Sequence, residues 1–370
     1  MNFEQKDLVR VARRENNTKR PYLLVNPLQG KHVPVPPHKA LRVFDALGAS
    51  VCEVVGDAPA LVIAFAETAT AIGAALAARL PGEVWLMQTT RESVPDTDFL
   101  YFSETHSHAT EQRLATRGLA EVLARVRYVI FAEDEVTTGN TIRHLMDVLC
   151  QQYTVPHVTF GIASLLNGMT DAVREQFAQQ GIWTRFLLQT DNRALEQTMQ
   201  HYAGDGLRHT VQRQAVEDTQ IVPVPGKQDM RLVCRAQTYQ TAIDDLIQVA
   251  RHTLLERAQN ILVLGTEECM YPGLLVGRAL EQDGYTVHFH ATTRSPILPS
   301  REPDYPLHTR YELRSLYDPE RITYLYNLAA YDQVYVVTDA QHPEHGLQTL
   351  QAALAQAGNT QVKVLEWRNA

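Results

Sequence analysis

The chain is poor in the features that mark several large classes of protein. It has only four cysteines in 370 residues, and these stand far apart, at Cys52, Cys150, Cys234 and Cys269. The spacing favours reduced thiols over a disulfide framework or a C-x-x-C zinc site. Basic side chains are fewer than acidic ones, 34 against 42, which gives a net charge of −8. Because nucleic-acid-binding proteins normally carry a basic face, we expect no nucleic-acid partner.

Long hydrophobic runs are also lacking. The run Leu-Val-Ile-Ala-Phe-Ala at 61–66 is far shorter than the ~20 residues of a membrane helix. The opening Met-Asn-Phe-Glu-Gln-Lys contains no apolar signal core. With 45% apolar and 21% charged residues, the composition is typical of a soluble globular protein. We therefore expect a cytoplasmic protein with no membrane partner, and the length favours two domains.

Short apolar runs alternate with longer stretches of helical period, the pattern of a mostly parallel α/β sheet. In the first half, buried strands are predicted at 22–25, 61–65, 84–87, 128–132, 158–165 and 183–188. Helices are predicted at 71–79, at 110–125 and after Gly139. The last of these has an apolar stripe made by Ile142, Leu145, Met146 and Leu149.

The stretch 216–230 interrupts this pattern, because Ile-Val-Pro-Val-Pro-Gly-Lys at 221–227 contains two prolines and a glycine, as linkers do. We therefore predict a first domain at 1–222 and a second at 223–370. In the second, helices are predicted at 241–257, 274–282 and 346–357. Strands are predicted at 261–264, 286–290, 333–337 and 362–365, whereas 322–328 is ambiguous.

The most informative segment is Val-Ile-Phe-Ala-Glu-Asp-Glu-Val-Thr-Thr-Gly-Asn-Thr at 129–141. A buried strand leads to Glu133 and Asp134, then to a turn of hydroxyl residues and glycine, and then to a helix that begins near Asn140. Such a turn directs backbone N–H groups at one point near the positive end of the helix dipole, which suits an anion. Two carboxylates would repel phosphate alone but fit a ligand with sugar hydroxyls beside its phosphate. The alternative is an acidic turn that caps a structural helix with Thr138.

This segment resembles the phosphoribosyl pyrophosphate (PRPP) signature of type I phosphoribosyltransferases, which has four apolar residues, two acids and a T-T-G-x-T-like loop. The resemblance implies that Glu133 and Asp134 hold the ribose 2- and 3-hydroxyls. The ribose 5-phosphate would be held by the loop of Thr137, Thr138, Gly139, Asn140 and Thr141. It also implies Mg2+ as the cofactor that accompanies pyrophosphate, and PRPP with a small-molecule acceptor as partners.

By the same resemblance, two more loops complete the site. Thr68, Ala69 and Thr70 follow the strand at 61–65 and are predicted to contact pyrophosphate. Glu67 beside them is placed to meet the water shell of the metal or the acceptor. Arg91, after the strand at 84–87, is predicted to neutralise the leaving pyrophosphate. A plain helix cap and an exposed salt bridge are the alternatives for these two loops.

The polar segment Phe-Ser-Glu-Thr-His-Ser-His-Ala-Thr-Glu-Gln-Arg-Leu at 102–114 lies where the family has a mobile hood loop. Such a loop closes over the ribosyl transition state and keeps water away. We interpret His106 and His108 as acid/base or phosphate-contacting groups. No third ligand is spaced to form a zinc site with them.

A narrower resemblance rests on Asn-Pro-Leu-Gln-Gly-Lys-His-Val-Pro at 26–34, F-A-E-T-A-T at 65–70 and H-S-H-A-T at 106–110. These runs are similar to the orotate-transferase-like domain of bacterial tellurite-resistance-type operons. Lys31 and His32 are accordingly predicted to contact the acceptor or pyrophosphate. A proline-bounded surface loop is the alternative.

The T-R-S-P run at 293–296 resembles the name-giving motif of the TRSP domain, which follows the same subfamily of transferases. Thr293, Arg294 and Ser295 are predicted to bind an anion. Glu267 and Glu268, after the strand at 261–264, are candidates for sugar hydroxyls or a metal. The alternative is that these loops fix a domain interface or an oligomer contact.

Together these resemblances imply an α/β protein in which a parallel-sheet type I phosphoribosyltransferase domain precedes a second, smaller, Rossmann-like α/β domain. The expected activity is Mg2+-dependent transfer of a phosphoribosyl group from PRPP to a nucleobase-like or other small acceptor, by a homo-oligomer. A non-catalytic sensor of PRPP or of a nucleotide is one alternative. A nucleotide pyrophosphorylase or nucleosidase, which runs the reverse reaction, is another. The two acids and the polar hood favour catalysis over sensing.

Overall fold

The computed structural model of the 370-residue chain describes residues 3–17, 20–102, 112–191, 197, 202–211 and 220–369. The chain divides into two compact units, each discontinuous in sequence. Of the described residues, unit 1 contains those within 41–190 and 228–242. Unit 2 contains those within 3–40, 191–227 and 243–370.

Helices and strands alternate along most of the described chain. In chain order the elements are α1 (Gln5–Leu8), β1 (Arg10–Arg13), β2 (Tyr22–Val25), α2 (Pro37–Val55), β3 (Ala60–Ala64), α3 (Thr70–Arg79), β4 (Val84–Gln88), β5 (Phe99–Tyr101), β6 (Arg113–Ala115), α4 (Leu119–Leu123), β7 (Tyr128–Val136), α5 (Asn140–Gln152), β8 (Thr159–Asn167), α6 (Asp171–Gln179), β9 (Trp183–Gln189), β10 (Leu207–Thr210), β11 (Gln220–Val224), β12 (Cys234–Arg235), α7 (Ala236–Thr253), β13 (Asn260–Gly265), α8 (Tyr271–Gln282), β14 (Thr286–Ala291), β15 (Thr309–Arg314), β16 (Ile322–Tyr326), β17 (Gln333–Thr338), α9 (Glu344–Gln356) and β18 (Val362–Trp367).

Unit 1 is built on a six-stranded sheet with the order β12-β4-β3-β7-β8-β9. All neighbouring strands are parallel except β12, which runs antiparallel to β4. The chain passes from β3 to β4 on one side and later enters β7 on the other side of β3. In open α/β sheets, ligand crevices form outside the carboxyl ends of strands at such a switch point. The sheet order therefore places a candidate crevice between β3 and β7.

The sequence around β3 explains why this part of unit 1 is tightly packed. All five residues of β3 are buried, as expected for a parallel strand covered on both faces. The alanine-rich helix α3 lies close to it, since a Cβ atom added at Gly73 would be only 2.4 Å from the Cβ atom of Ala64. The helix that follows β3 is thereby fixed against the end of the strand, which fixes the loop between them.

Unit 2 contains a five-stranded, fully parallel sheet with the order β11-β18-β17-β13-β14. A three-stranded sheet, β10-β15-β16, and the antiparallel pair β1-β2 belong to the same unit. The N-terminal segment joins it through single backbone bridges between Arg14 and Ile297 and between Val35 and Phe289. Here the switch point lies between β13 and β17, because β13 leads to β14 on its other side.

The predicted α/β fold with mostly parallel sheets is confirmed, and most of the predicted strands and helices occur at the predicted places in both units. The helix predicted at 110–125 was wrong over residues 113–118, and within its described part only Leu119–Leu123 is helical. Residues Arg113–Ala115 form a strand, and Thr90 and Arg113 exchange backbone hydrogen bonds of 2.8 and 3.1 Å. Gly118, with φ of 77°, then begins the short helix α4. A left-handed residue cannot continue a right-handed helix, so the apolar spacing there was misleading.

The segment predicted as a linker at 221–227 contains part of a strand in the structure. Gln220–Val224 forms β11, an edge strand that pairs in parallel with β18. Pro223 is tolerated there because an edge strand does not need every backbone N–H. The domain division at 222/223 stays a prediction, since the two compact units are each discontinuous. Among the described helices, none combines the length and the apolar character needed to cross a membrane.

Candidate functional site

Three loops of unit 1 are joined at the carboxyl ends of β4, β3 and β7. The N–H of Phe65 donates to the carbonyl oxygen of Ala132 at 3.0 Å, which ties the end of β3 to β7. The N–H of Ala66 donates to Oγ1 of Thr89 at 2.9 Å, and the N–H of Thr89 donates to the carbonyl oxygen of Ala64 at 2.9 Å. These bonds bring the loops after β3 and β4 beside the acidic end of β7.

The acidic pair lies in the last part of β7. Glu133 and Asp134 are both partly exposed, and Oε2 of Glu133 accepts the N–H of Asp134 at 3.1 Å. The pKa of Glu133 is raised well above its ordinary value, first by burial and then by the neighbouring Asp134 carboxylate. In the described part of the chain no cation pairs with Glu133. Glu133 therefore offers acceptor oxygens whose charge no cation in the described part of unit 1 neutralises.

The turn after β7 matches the anion site that the sequence predicts. Gly139 has φ of 76°, and an added Cβ atom would lie 2.8 Å from Phe177 and 3.1 Å from the sulfur of Met169. Helix α5 begins at Asn140 without a side-chain cap, and the Asn140 N–H makes only a 3.4 Å contact with Thr138 Oγ1. Thr138, Asn140 and Thr141 are exposed and Thr137 is partly exposed. The positive end of α5 is thus open to an anion.

The loop after β3 uses part of its polar groups to hold its own shape. The N–H of Ala69 donates to the carbonyl oxygen of Phe65 at 3.0 Å, and the Thr70 hydroxyl donates to the carbonyl oxygen of Glu67 at 3.2 Å. Ala69 and Thr70 are buried, whereas Glu67 and Thr68 are partly exposed. The Ala66–Glu67 peptide bond is cis. The predicted pyrophosphate contacts of Thr68, Ala69 and Thr70 stay predictions.

The remaining predicted residues of the first site have different outcomes. Arg91 is partly exposed and lies two residues beyond Thr89, so it belongs to the same group of loops. His106 and His108 lie outside the described residues. The strands that flank their segment, β5 and β6, pair antiparallel. The catalytic roles of all three stay predictions.

Lys31 belongs to unit 2. Its side chain is fully buried, and its Nζ atom donates to the carbonyl oxygens of Glu267 and Thr292, both at 3.1 Å. His32 next to it is buried as well. The structure therefore brings Lys31 to the loops after β13 and β14, and its predicted contact with the acceptor or pyrophosphate stays a prediction.

The second acidic pair lies at the switch point of unit 2 and is surrounded by cations. Glu267 is 1% exposed. Its Oε2 atom accepts from Arg294 Nε at 2.7 Å and from Arg321 Nη1 at 3.0 Å, and its Oε1 atom accepts from the Ser315 hydroxyl. Glu268 pairs with Arg294 Nη2 at 3.4 Å. The predicted anion-binding residues Thr293, Arg294 and Ser295 thus stand beside a buried network in which Arg294 serves two carboxylates.

Sequence reasoning missed most of this network. Arg321 and Ser315 have no motif around them, and only the fold brings them to Glu267. Asp339 directly follows β17 and accepts from the Tyr317 hydroxyl at 2.6 Å, and it pairs with Lys227 at 3.1 Å. Its position at a strand end was a usable signal. Among the described residues, no group of three or more His, Cys, Asp or Glu side chains is arranged to hold a metal ion.

Comparison with solved structures finds phosphoribosyltransferases at low identity. The APRTase of Giardia lamblia, crystallised with 9-deazaadenine, is 13% identical and covers 50% of this chain and 94% of its own, with a TM-score of 0.34. The adenine phosphoribosyltransferase of Rhodothermus marinus is 14% identical and covers 50% of this chain and 96% of its own, with a TM-score of 0.34. Among curated proteins, no sequence matches this chain.

Two family profiles match the sequence in the order that the motifs predict. The family described as phosphoribosyl transferase (PRTase_2) matches residues 8–187, which include the acidic pair and the turn at Gly139. The family described as the TRSP domain C-terminal to it matches residues 233–354, which include Glu267 and Arg294. The chain therefore belongs to the family in which a phosphoribosyl transferase domain is followed by a TRSP domain.

Proposed function

We propose that this protein transfers a 5-phosphoribosyl group from PRPP to a nucleobase-like or other small acceptor and releases pyrophosphate. The observation that carries the proposal is the arrangement at the switch point of unit 1. An acidic pair, an uncapped helix start and the loop after β3 lie at the carboxyl ends of neighbouring strands. Each of these offers the chemistry that one part of PRPP requires.

The ribose phosphate would be held by the end of β7 and the start of α5. Asp134 and Glu133 would bind the 2- and 3-hydroxyls, because carboxylate oxygens accept strong hydrogen bonds from hydroxyls. The 5-phosphate would receive N–H groups at the start of α5 and the hydroxyls of Thr137, Thr138 and Thr141, with Asn140 beside them. Gly139 gives the turn its shape, because its φ of 76° suits glycine and a Cβ atom there would lie 2.8 Å from Phe177.

The pyrophosphate would lie against the loop containing Thr68, Ala69 and Thr70, with Arg91 as the neutralising cation. We include Mg2+ in the proposal, and the side chains in unit 1 fit a metal that arrives on its ligand. Mg2+ usually keeps several waters and takes one or two carboxylates together with substrate phosphates, so it does not need a protein cage. Asp134 and Glu67, which are both partly exposed, are the carboxylates that would hold it. When bound, it would neutralise charge on pyrophosphate.

In the reaction, the C1–O bond to pyrophosphate breaks and both of its electrons leave with pyrophosphate. The acceptor lone pair forms the new bond to C1, and the acceptor loses its proton to a base or to water. The positive charge that develops on the ribosyl ring would lie beside Glu133 and Asp134, which favours ionisation of the ribosyl–pyrophosphate bond. His106 and His108 would act in the hood as acid/base or phosphate-contacting groups.

Unit 2 enters the proposal as an anion-binding partner of the transferase, through Lys31, Thr293, Arg294 and Ser295. An anion bound at Arg294 would compete with Glu267 and Glu268, which already accept from its guanidinium. We therefore expect weaker anion binding there than at unit 1. A homo-oligomeric state and a cytoplasmic location belong to the same proposal.

The test is pyrophosphate release from PRPP and Mg2+ in the presence of a panel of nucleobase-like acceptors. The proposal expects release with at least one acceptor and its loss in Asp134→Asn. If the protein binds PRPP but releases no pyrophosphate with any acceptor, and does not catalyse the reverse reaction either, the result would instead favour a sensor. Formation of PRPP from a nucleoside monophosphate and pyrophosphate, without net forward turnover, would favour a pyrophosphorylase. A wild-type protein that does not bind PRPP at all would contradict the proposal.

A further inference from the structure

The backbone of Ala66 is held by side chains from two other parts of unit 1. Its N–H donates to Oγ1 of Thr89 at 2.9 Å, and its carbonyl oxygen accepts from Nε2 of Gln112 at 3.4 Å. Ala66 is only 8% exposed and Thr89 is fully buried. Neither hydrogen bond is part of a helix or strand ladder. The loop between β3 and α3 therefore depends on two side chains outside itself for its path.

Thr89 is well placed to fix that path. It directly follows β4, and its own N–H donates to the carbonyl oxygen of Ala64 at 2.9 Å, so its backbone is tied to the last residue of β3. A threonine side chain is branched at Cβ and has restricted χ1 rotation. The hydroxyl is consequently held against the Ala66 N–H by a rigid backbone and a stiff side chain. Valine would fill nearly the same volume but could not accept the hydrogen bond.

Gln112 supports the next peptide group, the one between Ala66 and Glu67. It is partly exposed and immediately precedes β6, whose residue Arg113 is bound to Thr90 through the backbone. Thr89 and Gln112 thus come from the two segments that meet at this bridge. Both reach the backbone of Ala66, Thr89 at its N–H and Gln112 at its carbonyl oxygen.

We propose that Thr89, assisted by Gln112, is a positioning residue for the pyrophosphate half of the ligand site. It holds the loop before Thr68, Ala69 and Thr70 in the shape that receives pyrophosphate, and it does not itself touch the ligand. This inference rests on the proposed function, because it assigns that loop to pyrophosphate. It adds that the parts of the site that bind the two halves of PRPP are held in shape by different residues. The ribose 5-phosphate half depends on β7 and Gly139, whereas the pyrophosphate half depends on Thr89.

Because different residues hold the two halves of the site, a change at Thr89 is expected to weaken the binding of one ligand and not the other. A general loss of stability would not produce this difference. In Thr89→Val, the buried Ala66 N–H loses its acceptor, and the loop moves to find another partner. Binding of magnesium pyrophosphate and of PRPP is expected to weaken at least about tenfold. Binding of ribose 5-phosphate, which contacts the other loop, is expected to change less than about twofold.

The experiment measures the dissociation constants of magnesium pyrophosphate and ribose 5-phosphate by calorimetry for wild type, Thr89→Val, Thr89→Ser and Thr190→Val. Thr89→Ser keeps the hydroxyl and is expected to restore pyrophosphate binding. Thr190→Val is the matched control, because Thr190 is a buried threonine after β9 whose hydroxyl donates to the carbonyl oxygen of Asn167 at 3.2 Å. It removes a buried hydroxyl from the same sheet and is expected to leave both affinities unchanged.

Each outcome decides between the inference and its alternatives. Pyrophosphate binding by Thr89→Val within twofold of wild type overturns the inference, and so does an equal loss of both ligands or a failure of Thr89→Ser to rescue. If Thr89→Val does not fold, Gln112→Met takes its place and must show the same selective loss. A wild-type protein that binds neither ligand contradicts the proposed function itself. Wild-type binding of both ligands with no effect at Thr89 overturns only this inference.

Discussion

Units 1 and 2 each place an acidic pair beside a switch point, in the last part of β7 in unit 1 and just after β13 in unit 2, but they surround the pair with different charges. In unit 1, the pKa of Glu133 is raised by burial and by Asp134, and no cation of the described chain pairs with Glu133. In unit 2, Glu267 accepts from Arg294, Arg321 and Ser315. Two acidic pairs that both lie beside a switch point therefore have different electrostatic surroundings.

The difference indicates what each pair is for. Carboxylates whose acceptor oxygens are filled by arginine and serine are already satisfied, so they fix the loops around them. Carboxylates that repel each other at a crevice lower stability, and such groups persist at sites where a ligand relieves the cost. We infer that the pair of unit 1 serves a ligand and that the pair of unit 2 mainly holds its own loops together.

The largest effect is expected from breaking the network of unit 2. Glu267→Ala removes the common partner of two arginines that are 11% and 18% exposed. Removing one member of a buried ion pair costs about 3–5 kcal/mol, so the free energy of unfolding from urea denaturation is expected to fall by that amount. PRPP affinity of the folded protein should stay within about twofold of wild type. A stability loss below about 1 kcal/mol would show that the network is not structural.

A second change tests the phosphate turn of unit 1 against a matched glycine. Gly139→Ala places a Cβ atom 2.8 Å from Phe177 at φ of 76°, whereas Gly181→Ala has φ of 75° and meets nothing within 4 Å. Both variants should lose about 1–2 kcal/mol from the left-handed conformation, and Gly139→Ala more. Calorimetry should show ribose 5-phosphate binding weakened at least about tenfold by Gly139→Ala alone. Equal affinities for ribose 5-phosphate in the two variants would show that the turn is not part of the binding site.

The raised pKa of Glu133 predicts a pH-dependent gain of stability in Glu133→Gln. The folded protein holds this proton more tightly than the unfolded chain, so the free energy of unfolding of wild type falls as pH rises from the ordinary carboxyl pKa through the raised value. Glutamine keeps the shape of the protonated acid and removes that loss. The Tm of Glu133→Gln should equal that of wild type at pH 4 and exceed it at pH 8. A lower Tm at pH 8 would mean that a cation stabilises the ionised acid.

The smallest effect is expected from an exposed ion pair of unit 2. Arg251 donates to both carboxylate oxygens of Asp283, at 2.7 and 2.9 Å, but the two side chains are 37% and 35% exposed. Such pairs contribute between 0 and about 1 kcal/mol, so Asp283→Asn should lower the free energy of unfolding by less than about 1 kcal/mol. A loss as large as that of Glu267→Ala would show that burial does not distinguish the two pairs.

The sequence was sufficient for the features that local pattern encodes. The apolar runs predicted most strands of the two large sheets, and the segment at 129–141 predicted a strand, an acidic pair, a glycine turn and a helix in the observed order. Gly139 shows why this works, because its positive φ and its close contact with Phe177 both require glycine. Motifs of this kind are dictated by neighbouring residues, so they can be read before the fold is known.

Features that depend on distant contacts could not be predicted in this way. The described residues within 3–40 belong to unit 2, and bridges such as Val35 to Phe289 join positions far apart in the chain. Lys31 meets Glu267 only through this pairing, and Arg321 has no local motif at all. Hydrophobic period indicates which face of an element is buried, but it does not indicate against which partner.

The central claim is that the acidic pair of unit 1 binds PRPP and that the pair of unit 2 does not. The direct measurement is the dissociation constant of PRPP with Mg2+ for wild type, Asp134→Asn, Glu133→Gln and Glu268→Gln. We expect wild type to bind, the two unit 1 variants to bind at least about tenfold more weakly, and Glu268→Gln to stay within about twofold of wild type. Unchanged affinity in both Asp134→Asn and Glu133→Gln would contradict the claim.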